Sequence, residues 1–140
     1  MDRGEIMQIM IFTIGDKYYG INTNIVDEII SKTESKKVPK SPDWVEGLIN
    51  LRGNVVTTVN LSKLLRQKDD LCYNNIIIAN NKKDKIGFLI KNVIGVTDIE
   101  ERDIEKLNQN HNDVMIGIVR TKGKLINIID ISTLLSKNEG

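Results

Sequence analysis

The chain repeats itself, and the repeat limits the possible architectures more than any other feature. The stretch from Gly47 to Leu65, GLINLRGNVVTTVNLSKLL, aligns with Gly117 to Leu135, GIVRTKGKLINIIDISTLL, at a constant spacing of 70 residues. Gly47 falls on Gly117, Gly53 on Gly123, Ser62 on Ser132, and Leu64-Leu65 on Leu134-Leu135. Between these anchors apolar meets apolar: Val55 with Leu125, Val56 with Ile126, Val59 with Ile129. A fainter match, spaced by 67, sets Gly20-Ile21 on Gly87-Phe88, Val26 on Val93 and Ile29 on Val96. Two matches in the same order at nearly equal spacing indicate a duplication. A chain of 140 residues has the length of one domain. The expected organisation is therefore a single domain over 1–140 with a first half at 1–70 and a second at 71–140. The boundary falls in the polar stretch Gln67–Asn74, and a terminal strand is free to cross over.

Each half reads mainly as β. Ile9–Ile14, Tyr18–Ile21, Gly47–Leu51 and Val55–Val59 are short, rich in β-branched residues and separated by turn signals. Gly15-Asp16, Arg52-Gly53 and Lys122-Gly123 supply those turns, because glycine tolerates positive φ without a steric penalty. Asn60 and Asp130 stand at equivalent places before Ser62-Lys63-Leu64-Leu65 and Ser132-Thr133-Leu134-Leu135. Both are good helix N-caps, so each half should close in a short helical turn. The segment Asn24–Ile30 has apolar residues at Ile25, Val26, Ile29 and Ile30, which predicts a short amphipathic helix with Asp27 and Glu28 outward. Four or five short strands per half are too few for a sandwich. Curling each half into a small barrel and packing the two together removes the open edges.

The inventory of reactive groups excludes most chemistry. With one His, His111 in a polar stretch, and one Cys, Cys72, there is no zinc spacing and no Cys–His nucleophile pair. Glycines form neither GxGxxG nor GxxxxGK, so no phosphate-cradling loop is expected. The acidic cluster Asp98, Glu100, Glu101, Asp103 and Glu105 is interleaved with Arg102 and Lys106 and reads as a solvated face. No catalytic residue, metal or cofactor is expected, and the chain reads as a binding protein. Net charge is +1 and aromatic residues make up 4%, which argues against a nucleic-acid partner despite Lys32, Lys36, Lys37 and Lys40 around Glu34. The opening Met1-Asp2-Arg3-Gly4-Glu5 does not read as a secretory leader, and no apolar run approaches the ~20 residues that span a bilayer. A cytoplasmic location without membrane insertion is the expectation, in keeping with the lone cysteine.

The segment from Val38 to Gly53, VPKSPDWVEGLINLRG, resembles the signature of the CheW-like chemotaxis coupling family, in which a Pro-containing loop and an aromatic residue lead into G-x-x-N-L-R-G. Upstream, Phe12–Ile21 is similar to the family's opening hairpin, and Val26-Asp27-Glu28-Ile29 to its V-x-E-I helix. Downstream, Gly117 and Asp130–Leu135 resemble its closing strand and helix, so the likeness runs over roughly residues 7 to 136. The resemblance implies two SH3-like five-stranded β-barrels with a few short helices. It also implies an adaptor that couples methyl-accepting chemoreceptor tips to the regulatory domain of a CheA-type histidine kinase. With no kinase or receiver segment attached, a stand-alone adaptor is expected.

By the same resemblance the receptor site lies on a groove between the barrels. Val26, Glu28 and Ile29 match the V-x-E-I positions, and Gly47, Asn50, Arg52 and Gly53 match the G-x-x-N-L-R-G hairpin. An amphipathic receptor helix would lay its apolar stripe there. Arg52 would offer a planar fork to a carboxylate or to backbone oxygens, with Glu28 as its internal partner. Gly47 and Gly53 read as backbone requirements rather than contacts.

Two positions depart from the family. Asn60 replaces a frequent Asp but still caps, and Lys91 replaces the acid of the V-D-x-V motif, so any charge contact there changes. The rival readings are a divergent CheW-like adaptor of another two-component pathway and, from different classes, a small β-barrel nucleic-acid binder or a barrel enzyme.

Overall fold

A computed structural model describes residues 5–67, 72–81, 84–106 and 114–138, with the side chains of 81 and 135–138 left aside. His111 and part of the 67–74 boundary stretch lie outside the described residues. The strands are β1 (Ile6–Ile14), β2 (Lys17–Asn22), β3 (Val26–Ser31), β4 (Val45–Leu51), β5 (Asn54–Asn60), β6 (Asn75–Asn81), β7 (Asp84–Ile90), β8 (Asn92–Glu100), β9 (Met115–Thr121) and β10 (Lys124–Ile129). Helix α1 (Leu61–Leu64) follows β5, and α2 (Ile131–Asn138) follows β10. Two five-stranded sheets result, in the orders β8-β1-β2-β10-β9 and β3-β6-β7-β5-β4. No helix among the described residues is long and apolar enough to cross a membrane.

The duplication is visible in the pairing register. In one sheet β10 runs parallel to β2 with Asn127 opposite Tyr19 and Ile128 opposite Gly20. In the other, β5 runs parallel to β7 with Thr57 opposite Ile86 and Thr58 opposite Gly87. These are the same pairs once the spacings of 70 and 67 are applied. Strands β4 and β9 even share one burial pattern along their length.

The repeats are nevertheless not the compact units. One unit comprises the chain up to Asn24 together with the chain from Val93 onward, and the other is Ile25–Asn92. The division expected at residue 70 is corrected by the sheet order. Hairpin β1–β2 of the first repeat pairs with β8, β9 and β10 of the second, while hairpin β6–β7 pairs with β3, β4 and β5. Each repeat thus contributes its hairpin to the other repeat's sheet. The two are called here the discontinuous and the continuous unit.

Each sheet curls until its ends meet. Beyond β3, Lys36 and Leu48 of β4 exchange two backbone hydrogen bonds of 2.8 Å, and beyond β8, Glu105 and Ile118 of β9 do the same at 2.8 and 2.9 Å. The expected pair of five-stranded barrels with few helices is therefore present. The core of the continuous unit is Ile49, Val56, Ile76, Ile78 and Leu89. That of the discontinuous unit includes Ile9, Ile11, Val119, Ile126 and Ile128. By the repeat spacing Ile76 and Ile78 stand where Ile9 and Ile11 stand, and Ile49 and Val56 where Val119 and Ile126 stand.

One local expectation is overturned. Asn24–Ile30 is not an amphipathic helix: Thr23–Ile25 make one 3-10 turn, and Val26–Ser31 form β3 at a sheet edge, paired with β6. Val26, Ile29 and Ile30 are β-branched, which favours strand over helix, and β6 offers an unpaired edge. The expected caps are present. Asn60 Oδ1 accepts from Lys63 N at 3.1 Å, and Asp130 Oδ1 accepts from Thr133 N at 3.2 Å.

Candidate functional site

The seven candidate positions all belong to the continuous unit, on β3 and on the β4–β5 hairpin. The hairpin turn consists of two residues, since Leu51 pairs with Asn54. Arg52 and Gly53 both have positive φ, 52° and 88°, as a type I′ turn requires. Lys122 and Gly123 repeat this at 51° and 75°. Asn50 completes the turn by accepting from Gly53 N at 2.8 Å. Asn50 and Gly53 thus hold the tip in shape, and Arg52 projects from it with 65% of its side chain exposed.

Gly47 has a different duty. Its φ is 154°, and a Cβ placed there would lie 2.5 Å from the Lys36 carbonyl oxygen. A side chain at 47 would push apart the bridge that closes the barrel. At Gly117 a Cβ would lie 2.6 Å from the Glu105 carbonyl oxygen, the equivalent bridge. The reading of Gly47 and Gly53 as backbone requirements agrees with this geometry.

Glu28 and Arg52 are brought together as expected. Arg52 Nη1 donates to Glu28 Oε1 at 3.2 Å, and Nη2 donates to Oε2. This forked geometry uses both carboxylate oxygens. The hydrogen bond from Arg52 holds the Glu28 carboxyl below its ordinary value against a desolvation effect of opposite sign, and the charges of Arg52 and Lys85 add to the lowering. The guanidinium is correspondingly held above its own ordinary value, chiefly by its hydrogen bond to Glu28. Ile29 and Val55, one residue beyond Glu28 and two beyond the turn's last residue, are exposed apolar side chains. Val26 is half-buried opposite Ala79 of β6.

Three polar residues beside this pair were not identified from sequence. The β3–β6 register slips between Val26 and Glu28, leaving Asp27 as the extra residue of a bulge. Its carboxylate accepts from Asn80 Nδ2 at one oxygen and meets Lys85 Nζ at 3.3 Å at the other. Asn80 and Lys85 face each other across β6 and β7. No local pattern marks this cluster, because Asp27 and Lys85 are distant in sequence and only the order β3-β6-β7 joins them.

The remaining positions of interest behave as surface. The acidic stretch closes β8 in a 3-10 turn, Glu101–Asp103, where Arg102 pairs with Glu100, while Glu105 lies 3.4 Å from Arg120. Lys32 sits over the Tyr73 ring at 5.0 Å, and the Lys91 carbonyl accepts from Asn74 N at 3.2 Å. Among the described residues no group of three or more His, Cys, Asp or Glu is placed to hold a metal ion.

Comparison with known proteins agrees with this architecture. Residues 8–139 match the family model described as CheW-like domain. A chemotaxis protein CheW of Thermotoga maritima is 32% identical over 133 residues, 93% of this chain and 88% of that protein. One from Helicobacter pylori is 30% identical over 146 residues, 98% of this chain and 86% of its own length. The crystal structure of the scaffolding protein CheW from Thermoanaerobacter tengcongensis superimposes with a TM-score of 0.86 at 27% identity, covering 97% of each chain. With the family model spanning nearly every residue and the same two-sheet fold in a solved relative, the chain belongs to the CheW-like family.

Proposed function

We propose that this protein is a non-enzymatic, cytoplasmic adaptor of chemotaxis signalling that couples chemoreceptor tips to the regulatory domain of a CheA-type histidine kinase. The observation that carries the reading is the pairing of Arg52 with Glu28 on a hairpin tip beside exposed Ile29 and Val55, in a chain of this family. The apolar pair offers a seat for the stripe of an amphipathic helix. The guanidinium is held by Glu28 in one orientation and keeps further N–H donors facing solvent, so a partner oxygen meets a pre-oriented fork. Such a group fixes register and selects partners more than it adds affinity. Catalysis has no support in the inventory: the lone described thiol, Cys72, is exposed and the polar clusters are ion pairs at the surface.

The test is calorimetric titration of the protein with the regulatory domain of a CheA-type kinase from the same genome, and separately with a soluble chemoreceptor tip fragment. Binding of both at micromolar strength or tighter, about −8 kcal/mol or more favourable, is the expected result. A folded protein that binds neither would overturn the coupling role.

A further inference from the structure

The continuous unit carries a cluster of charged and polar side chains on the rim of its barrel, at positions the other unit fills differently. Ile76 and Ile78 of β6 point into the core, and the next residue of the same parity is Asn80. Leu89 of β7 also points inward, and stepping back by twos through Gly87 leads to Lys85. Asn80 and Lys85 are a cross-strand pair just past the end of the core; Asp27 of β3 contacts both, and the charge of Lys85 also acts on the neighbouring Glu28. Arg52 joins from the hairpin tip through Glu28.

The internal duplication supplies a control for whether a barrel needs this cluster. In the discontinuous unit the places of Asn80 and Lys85 are taken by Thr13 and Tyr18, again a cross-strand pair. Ile94 stands for Asp27, Gly95 for Glu28 and Lys122 for Arg52. There Tyr18 packs on the core and Lys124 lies over its ring at 5.1 Å. The same barrel thus closes its rim without a single carboxylate at these places. The exposed apolar positions, by contrast, are common to both units: Ile29 and Val55 correspond to Val96 and Leu125, and all four are exposed. What distinguishes the continuous unit is its two carboxylates and Lys85.

Donor and acceptor bookkeeping says what those groups would take. Both oxygens of Glu28 are engaged by Arg52, and both of Asp27 by Asn80 and Lys85. Arg52 has five N–H donors and Lys85 three, of which these contacts use two and one. Lys85 is 44% exposed and its one carboxylate contact, at 3.3 Å, is longer than a strong charge-assisted bond. Each carboxylate oxygen is thus met by one of these groups, and the two cations keep N–H donors beyond these contacts. We propose that Lys85, held by the bulged Asp27, is a second partner-contacting cation, and that with Arg52 it receives an acidic side chain of an amphipathic helix seated on Ile29 and Val55. Lys85 thereby sets which partner this unit accepts. The inference rests on the receptor-binding reading of the Arg52 surface.

The experiment titrates the full chain and its K85M, K85E and K124M variants with a soluble chemoreceptor tip fragment, at low and moderate salt. K85M is expected to weaken binding about two- to fivefold and to flatten its salt dependence. K85E is expected to weaken it on the order of tenfold or more, because it sets like charge against the incoming acid. K124M removes the same charge from the other unit and should leave binding unchanged, which separates a local contact from general steering. Wild-type binding with K85M and K85E unaltered, or an equal loss in K124M, would overturn this inference alone. Absence of wild-type binding would overturn the receptor reading and this inference with it.

Discussion

Lys36 and Leu48 exchange two backbone hydrogen bonds of 2.8 Å, and this one bridge turns the continuous unit's sheet into a barrel. Gly47 sits directly against it, with space for a hydrogen and none for a methyl group. Gly47→Ala must therefore displace backbone as well as adopt an unfavourable φ, and is expected to lower stability by about 2–4 kcal/mol. Gly53→Ala meets nothing within 4 Å and faces only the strain of φ 88°, about 1–2 kcal/mol. Denaturant unfolding of both variants decides the point. Equal losses would mean that the closing bridge is not what demands glycine at 47.

The caps offer a second check. Asn60 is 2% exposed, and its side chain holds the first turn of a helix only four residues long. Asn60→Ala should cost about 1 kcal/mol, and Asn60→Ser should recover most of that, as the hydroxyl accepts the same bond. A serine variant as unstable as the alanine one would show that Asn60 acts through its other contacts.

How far the fold was legible depended on whether its determinants were local. Turns, caps and strands were, since Arg52-Gly53 and Asn60 act on neighbours within three residues. So was the repeat, whose two spacings reproduce the pairing of Asn127 with Tyr19 and of Thr57 with Ile86. Which sheet a hairpin joins is not local, and nothing in Ile6–Asn22 announces that it pairs with β8 and β10. The misreading of Asn24–Ile30 has a sharper cause. On β3 Val26, Glu28 and Ile30 are half-buried and Asp27, Ile29 and Ser31 exposed, and beyond the bulge Glu28 and Ile30 share the inner face. A charge on the inner parity and an isoleucine on the outer one hide the alternation that marks a strand. Those two exceptions, Glu28 reaching for Arg52 and Ile29 facing solvent, are candidate site residues, and such residues are where local rules are expected to fail.

Thr58 tests the interior of the closing region. It is fully buried where the other unit has Ile128, and its hydroxyl donates to the Gly47 carbonyl at 3.0 Å while lying 2.6 Å from Ser35 Oγ. Thr58→Val keeps the shape but leaves Ser35 and the carbonyl short of a partner, so a loss of about 1–3 kcal/mol is expected. Thr58→Val combined with Ser35→Ala should be less destabilising than the sum of the two, since the second change removes one of the orphaned groups. Strict additivity in thermal or denaturant unfolding would show that the two hydroxyls are not coupled.

The Glu28–Arg52 pair makes a prediction about acid. Because the hydrogen bond from Arg52 holds the Glu28 carboxyl below its ordinary 4.5, the folded state prefers the ionised form. A group depressed in this way contributes stability above its unfolded value and loses it as pH falls through the folded midpoint. The pair should therefore be intact at neutral pH and break only below 4.5. A carboxyl-carbon NMR titration of the wild-type protein should place the Glu28 midpoint under 4.5. Arg52→Ala should raise that midpoint, because it removes the largest lowering effect and leaves desolvation opposed only by Lys85. Lys85→Met should raise it less, its contribution being the smallest of the four. Since the pair is exposed, Arg52→Ala should leave the melting temperature nearly unchanged while weakening receptor-tip binding. A Glu28 midpoint that does not move in Arg52→Ala would mean the pair is not formed in solution, and a large fall in melting temperature would make Arg52 a structural residue rather than a contact.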